Sequence, residues 1–77
     1  MMGKTNISSF LAQGDLVYLP AKTSLTKYDA EGVANNFCYL KNPRSVVYNG
    51  RGLSEGKLEI LYEGELWCVQ EESCFMP

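Results

Sequence analysis

Glu63, Glu65, Glu71 and Glu72 are the carboxylates close enough in sequence to pair as a general acid and base, and Cys38, Cys68 and Cys74 are the thiols that could act as nucleophiles or metal ligands. Neither set comes with what its chemistry needs. The chain has no histidine, so the usual proton shuttle near neutral pH is missing. A serine or cysteine nucleophile likewise lacks the base that ordinarily activates it. The glutamates fall on a hairpin tip and a polar turn, where water solvates them as an acidic face. A zinc site would need a fourth ligand, and the five residues between Cys68 and Cys74 exceed the roughly two to four of a zinc knuckle. The run Gly50-Arg51-Gly52-Leu53-Ser54-Glu55-Gly56 holds three glycines. No helix follows it to aim N–H groups at a phosphate, so it reads as a turn. No enzymatic activity, cofactor or metal is expected.

Binding chemistry is better represented. Tyr18, Tyr28 and Tyr39 share the first half of the chain with Lys22, Lys27, Lys41, Arg44 and Arg51. Aromatic anchors with a basic rim suit a protein partner or a single nucleic-acid strand. These eight residues are the candidate binding site, with the tyrosines as a ledge. Packing of a long loop over a strand competes with that reading, because a small domain needs its aromatics for its core. Trp67, the only tryptophan, is expected in the core.

Charge sharpens the choice of partner. The net charge is −2, yet residues 1–53 carry six basic groups against three acidic ones, whereas residues 54–77 carry Lys57 against six glutamates. The acidic end repels phosphate, so nucleic acid would have to use the N-terminal half. No apolar run matches a membrane span or a secretory signal. Three cysteines are an odd count that fits reduced thiols, so a cytoplasmic protein is expected. The acceptor triplet Asn6-Ile7-Ser8 carries no weight without an export signal.

The elements that must position these residues are strands. Lys57-Leu58-Glu59-Ile60-Leu61-Tyr62 and Glu65-Leu66-Trp67-Cys68-Val69 flank Glu63-Gly64, a tight-turn pair. With that turn Leu61 faces Leu66, Ile60 faces Trp67 and Leu58 faces Val69. Leu58, Ile60, Trp67 and Val69 then share one face, and Leu61 with Leu66 patches the other. Leu16-Val17-Tyr18-Leu19, closed by Pro20, reads as a strand with Val17 and Leu19 inward. Further strands are expected at 37–40, 45–48 and 74–76. Residues 21–36 read as a long polar loop or irregular hairpin arm, and Gln70-Glu71-Glu72-Ser73 as a 3₁₀ turn. No window holds a sustained 3.6-residue apolar period, so the chain is all-β. Residues 1–13 are expected to be a flexible N-terminal segment and residues 14–77 one small barrel of five to six short strands.

The order of these features resembles the SH3-like barrel superfamily, bacterial SH3-like domains in particular. A Gly-Asp-opened strand (Gly14, Asp15) precedes a long polar excursion, a Pro-preceded Val46-Val47 strand and a glycine-rich loop. A hairpin with Gly64 and Trp67-Cys68-Val69 then leads to a short turn and Phe75. The stretch Gly14-Asp15-Leu16-Val17-Tyr18-Leu19-Pro20 is also similar to small phage-encoded SH3-like proteins. The resemblance implies a partly open barrel and a non-catalytic protein-interaction module, a small phage-type or accessory factor docking on a larger protein. The chain lacks the Ala-Leu-Tyr-Asp-Tyr segment and the Pro-x-x-Tyr turn of SH3 domains that bind proline-rich peptides. An RNA- or DNA-binding barrel and a structural subunit that self-associates through an edge strand are the alternatives.

Overall fold

The computed structural model describes residues 7–52 and 56–77, which form one open antiparallel sheet of six strands. The strands are β1 (Leu16–Leu19), β2 (Ser24–Tyr28), β3 (Ala34–Tyr39), β4 (Arg44–Arg51), β5 (Lys57–Tyr62) and β6 (Glu65–Gln70). Across the sheet they run in the order β1-β4-β5-β6-β2-β3. The described residues contain no α-helix, only 3₁₀ turns at Ile7–Phe10 and Glu71–Ser73. The chain is thus all-β, as its alternation requires.

The β5–β6 hairpin has the expected register: Leu61 opposite Leu66, Ile60 opposite Trp67, Leu58 opposite Val69. Its turn works because Glu63 (φ 54°) and Gly64 (φ 78°) both take left-handed backbone, matching the strand twist. β4 continues the meander, with a bulge between Tyr48 and Gly50 that leaves Asn49 without a partner in the ladder. β1 pairs with β4, and Tyr18 exchanges two backbone hydrogen bonds with Phe75, at 2.8 and 2.9 Å. The strand expected at 74–76 is therefore a single bridge.

Residues 21–36, read from sequence as a long polar loop or irregular hairpin arm, hold β2 and the start of β3. The hairpin was hidden because its inward positions are nearly empty of large apolar groups: Leu25 on β2 and Cys38 on β3 are the main ones. The hairpin joins the meander through one register pair, Thr26 opposite Cys68. At its base Lys22 adopts φ 71° and donates to the Leu40 carbonyl, while Leu40 N–H donates to Thr23.

One face of this sheet is buried. Val17, Leu19, Leu25, Val46, Tyr48, Leu58, Ile60, Trp67 and Val69, with Leu40 and Cys74, form one cluster. A sheet must cover its apolar face, and with no second layer present it curls around its own side chains. Of the N-terminal segment expected to be flexible, residues 1–6 lie outside the described residues. Residues 7–13 are tied to the sheet: Ser8 N–H and Oγ–H both donate to Glu71 Oε2, at 2.9 and 2.7 Å, and Ile7 and Leu11 pack against the core. Of the glycine-rich loop, Leu53, Ser54 and Glu55 likewise lie outside the described residues.

Trp67 is 8% exposed at the centre of this cluster. Trp67→Ala should cost about 3–5 kcal/mol through lost transfer energy and the cavity left behind, a large part of the stability of so small a domain. Chemical denaturation checks it: the variant should show a much lower midpoint than the parent or no cooperative transition.

Candidate binding surface

The structure does not gather the eight basic and aromatic candidates into one patch. Tyr18, half-buried, lies on β1 beside Phe75, while Tyr39 is exposed on β3, at the opposite end of the strand order. Tyr28 is half-buried, with the Lys57 ammonium 6.0 Å from its ring centroid. Two of the basic groups are engaged within the molecule. Lys27 pairs with Glu65 and lies over the Trp67 ring, 4.7 Å from its centroid. Arg44 donates to Glu63 Oε2 at 2.7 Å and stacks over Tyr62, 4.8 Å from that centroid. Arg51, exposed, ends β4 opposite Leu58, away from both. What does come together is Tyr39, Lys22 and Lys41, at the base of the β2–β3 hairpin, where Ser24 faces Tyr39 and Lys22 bonds Leu40.

Lys27, Arg44, Glu63 and Glu65 thus close one end of the curled sheet around Trp67 and Tyr62. Both ion pairs are solvent-exposed enough to contribute little net stability; their effect is to hold the aromatic rings under charge. Among the described residues Trp67 Nε1 is the buried side-chain nitrogen or oxygen without a hydrogen-bond partner.

The outer face carries a row of which the sequence reading found only the Leu61–Leu66 patch and an outward Leu16. Leu16 faces Val47 across β1–β4, Val47 faces Leu61 across β4–β5, and Leu61 faces Leu66 across β5–β6. Four apolar side chains therefore form one row crossing four strands on the side away from the core. Leu16 is 51% exposed, Leu61 41% and Leu66 45%, with Val47 half-buried between them. Each alternates with a buried neighbour (Val17, Val46, Ile60, Trp67), so none can turn inward without losing a core residue. A polar line runs beside the row: Gln13 Nε2 donates to Asn49 Oδ1, and Asn49 Nδ2 donates to Glu59 Oε1. Further along, the sheet splays on either side of the single Thr26–Cys68 pair. This leaves two open grooves of about 490 and 450 Å3, both with Thr26 and Cys68 in their walls. The second groove contains Leu66 and Tyr28 and so continues the apolar row towards β2.

No group of three or more His, Cys, Asp or Glu among the described residues is placed to hold a metal ion, and none of their helices is long and apolar enough to cross a membrane. Cys38, Cys68 and Cys74 form no disulfide. Burial first, and then the nearby Glu71 carboxylate, push Cys74 up from an ordinary 9.0 to about 12. Comparison with known proteins finds no matching family, no matching curated relative and no matching solved structure.

The thiols should differ in reactivity. Cys38 is half-exposed, whereas Cys68 and Cys74 are buried, so an alkylating reagent at neutral pH should modify Cys38 first and Cys74 only on unfolding. Because the folded Cys74 thiol ionises later than the unfolded one, its contribution to stability is complete below about pH 9 and is lost as pH rises towards 12. Timed alkylation read by mass spectrometry, with melts between neutral pH and pH 11, checks both.

Proposed function

We propose that this chain is a non-catalytic protein-interaction module, an accessory factor that docks on a larger protein through its outer face. The observation that carries the reading is the row Leu16, Val47, Leu61 and Leu66. Isolated exposed apolar residues are ordinary on protein surfaces, but four in register across four strands make a contiguous strip rimmed by polar groups, the usual make-up of an interface core. The strip is also rigid, because every backbone under it is held in the ladder. A partner would pay little ordering entropy on this side.

An SH3-like barrel is the fold reading that suits this function. It is supported by the order of elements: a first strand, a long hairpin excursion, a three-strand meander, a 3₁₀ turn, and a last residue that bridges back to the first strand. A phage-type origin has no structural support beyond the sequence resemblance. The nucleic-acid reading is weaker than the sequence alone made it, because Lys27 and Arg44 are neutralised by glutamates.

The test is capture from a lysate with the parent and with a Leu61→Glu, Leu66→Glu variant, each with and without nuclease. The parent should retain a protein that nuclease does not release, and the variant should lose it while keeping a melt close to that of the parent. Aromatic and aliphatic anchors at an interface centre typically cost about 2 kcal/mol or more when removed, enough for a clear loss. Retention that vanishes with nuclease, or is weakened only by Lys22→Glu with Lys41→Glu, would replace this reading with nucleic-acid binding.

A further inference from the structure

We propose that two copies of this chain pair β3 to β3 in an antiparallel register, giving a closed two-fold dimer. β3 is the outer edge of the sheet, paired on one side only, by β2. Leu40 bonds back to Lys22 and Thr23, so alternation directs Cys38 and Asn36 towards β2 and turns the N–H and C=O groups of Tyr39 and Phe37 outward, up to the register shift that leaves Asn35 without a partner on β2. The Phe37 N–H donates to the side chain of its own neighbour, Asn36 Oδ1, at 2.9 Å, a bond that a second strand would replace.

Charge and proline, two of the usual protections of an open edge, are missing, while the bulge at Asn35 shortens its regular part. Natural edges carry lysines, prolines or inward charges that repel a further strand. Ala34–Tyr39 contains no charged residue and no proline, and it exposes Phe37 (70%) and Tyr39 (58%). What flanks the strand selects the occupant. Asp29 and Glu31 lie on its N-terminal side and Lys41 on its C-terminal side, with Lys22 bonded beside Leu40. An antiparallel second copy centred on Phe37 brings Tyr39 opposite Asn35 of the other chain. It also brings Lys41 opposite Val33 and close to Glu31 of the other chain. The acidic end of each copy meets the basic end of the other, whereas a parallel arrangement would set like charges together.

Growth stops at two copies. The contact uses the same patch on both chains, and at the sheet's other edge the Tyr18 backbone groups are already bonded to Phe75, which leaves no second free strand of this length. The row on β1, β4, β5 and β6 stays uncovered, so the dimer presents the proposed docking surface twice. This inference stands on different strands from the docking reading and does not depend on it.

The experiment is sedimentation equilibrium over a range of concentrations, with the parent, Phe37→Lys, Phe37→Glu, an equimolar mixture of those two, and Leu61→Glu. The parent should reach twice the mass of the chain as concentration rises. Each Phe37 variant puts like charges face to face at the two-fold axis and should weaken association by about 100-fold or more, while the mixture should restore it. Leu61→Glu should dimerise like the parent even if it abolishes docking. A parent that stays monomeric throughout, or Phe37 variants that associate as the parent does, would overturn the proposal. If the Phe37 variants do not fold, amide exchange on the parent decides. Protection at Phe37 and Tyr39 that rises with concentration supports the pairing, and protection that does not change refutes it.

Discussion

A single sheet in a chain of this size can bury only one of its faces, and the rest of the structure follows from that constraint. The buried inward positions of the β4–β5–β6 meander are Val46, Tyr48, Leu58, Ile60, Trp67 and Val69, with Tyr62 packed against them. β1 adds Val17 and Leu19, and the β2–β3 hairpin adds Leu25 with partial help from Cys38. At about 25 cal/mol per Å2 of apolar area buried, a core this small leaves little margin over conformational entropy. The sheet therefore cannot spare an inward residue to cover an outward one. Leu16, Val47, Leu61 and Leu66 are left outside by parity, and the same ladder that strands them holds them in line.

Attachment is uneven across the sheet. The meander strands are joined by long ladders, six register pairs between β5 and β6, whereas β2 meets β6 at one pair. Few backbone bonds and few buried apolar contacts are the physical content of low local stability, so the β2–β3 hairpin should open before the meander does. Lys27 adds a second link from the hairpin side, one worth little net stability. Its pairing with Glu65 and its position over Trp67 bridge β2 to β6 one residue beyond the Thr26–Cys68 pair. The N-terminal turn is secured at the other end of the molecule by the Glu71 carboxylate, which accepts from Ser8.

The central hairpin was fully legible in the sequence, down to its register, because turn chemistry and alternation agree there: Glu63-Gly64 admits one tight turn, and that turn pairs Ile60 with Trp67. The β2–β3 hairpin was legible only as a loop or irregular hairpin arm, because an edge hairpin with Leu25 as its one fully inward large residue shows no period to find. Of the apolar row only the Leu61–Leu66 patch could be read, for a different reason. Leu16 and Val47 are neighbours only once β1 is known to pair with β4, and register between distant strands is not written in either segment. Sequence also overstated the basic site, since Lys27 and Arg44 find their carboxylates far along the chain. It placed Tyr18, Tyr28 and Tyr39 on one ledge where the strand order separates the first from the last.

The division of the sheet into a buried and an open face can be measured residue by residue. Adding a neutral, soluble gadolinium chelate to methyl-labelled protein broadens resonances in proportion to their exposure. Along β1, β5 and β6 the methyl groups of Val17, Leu19, Leu58, Ile60 and Val69 should stay sharp while those of Leu16, Leu61 and Leu66 broaden. Leu61 and Leu66 as well protected as Ile60, or an alternation shifted by one residue so that Ile60 broadens and Leu61 does not, would contradict it.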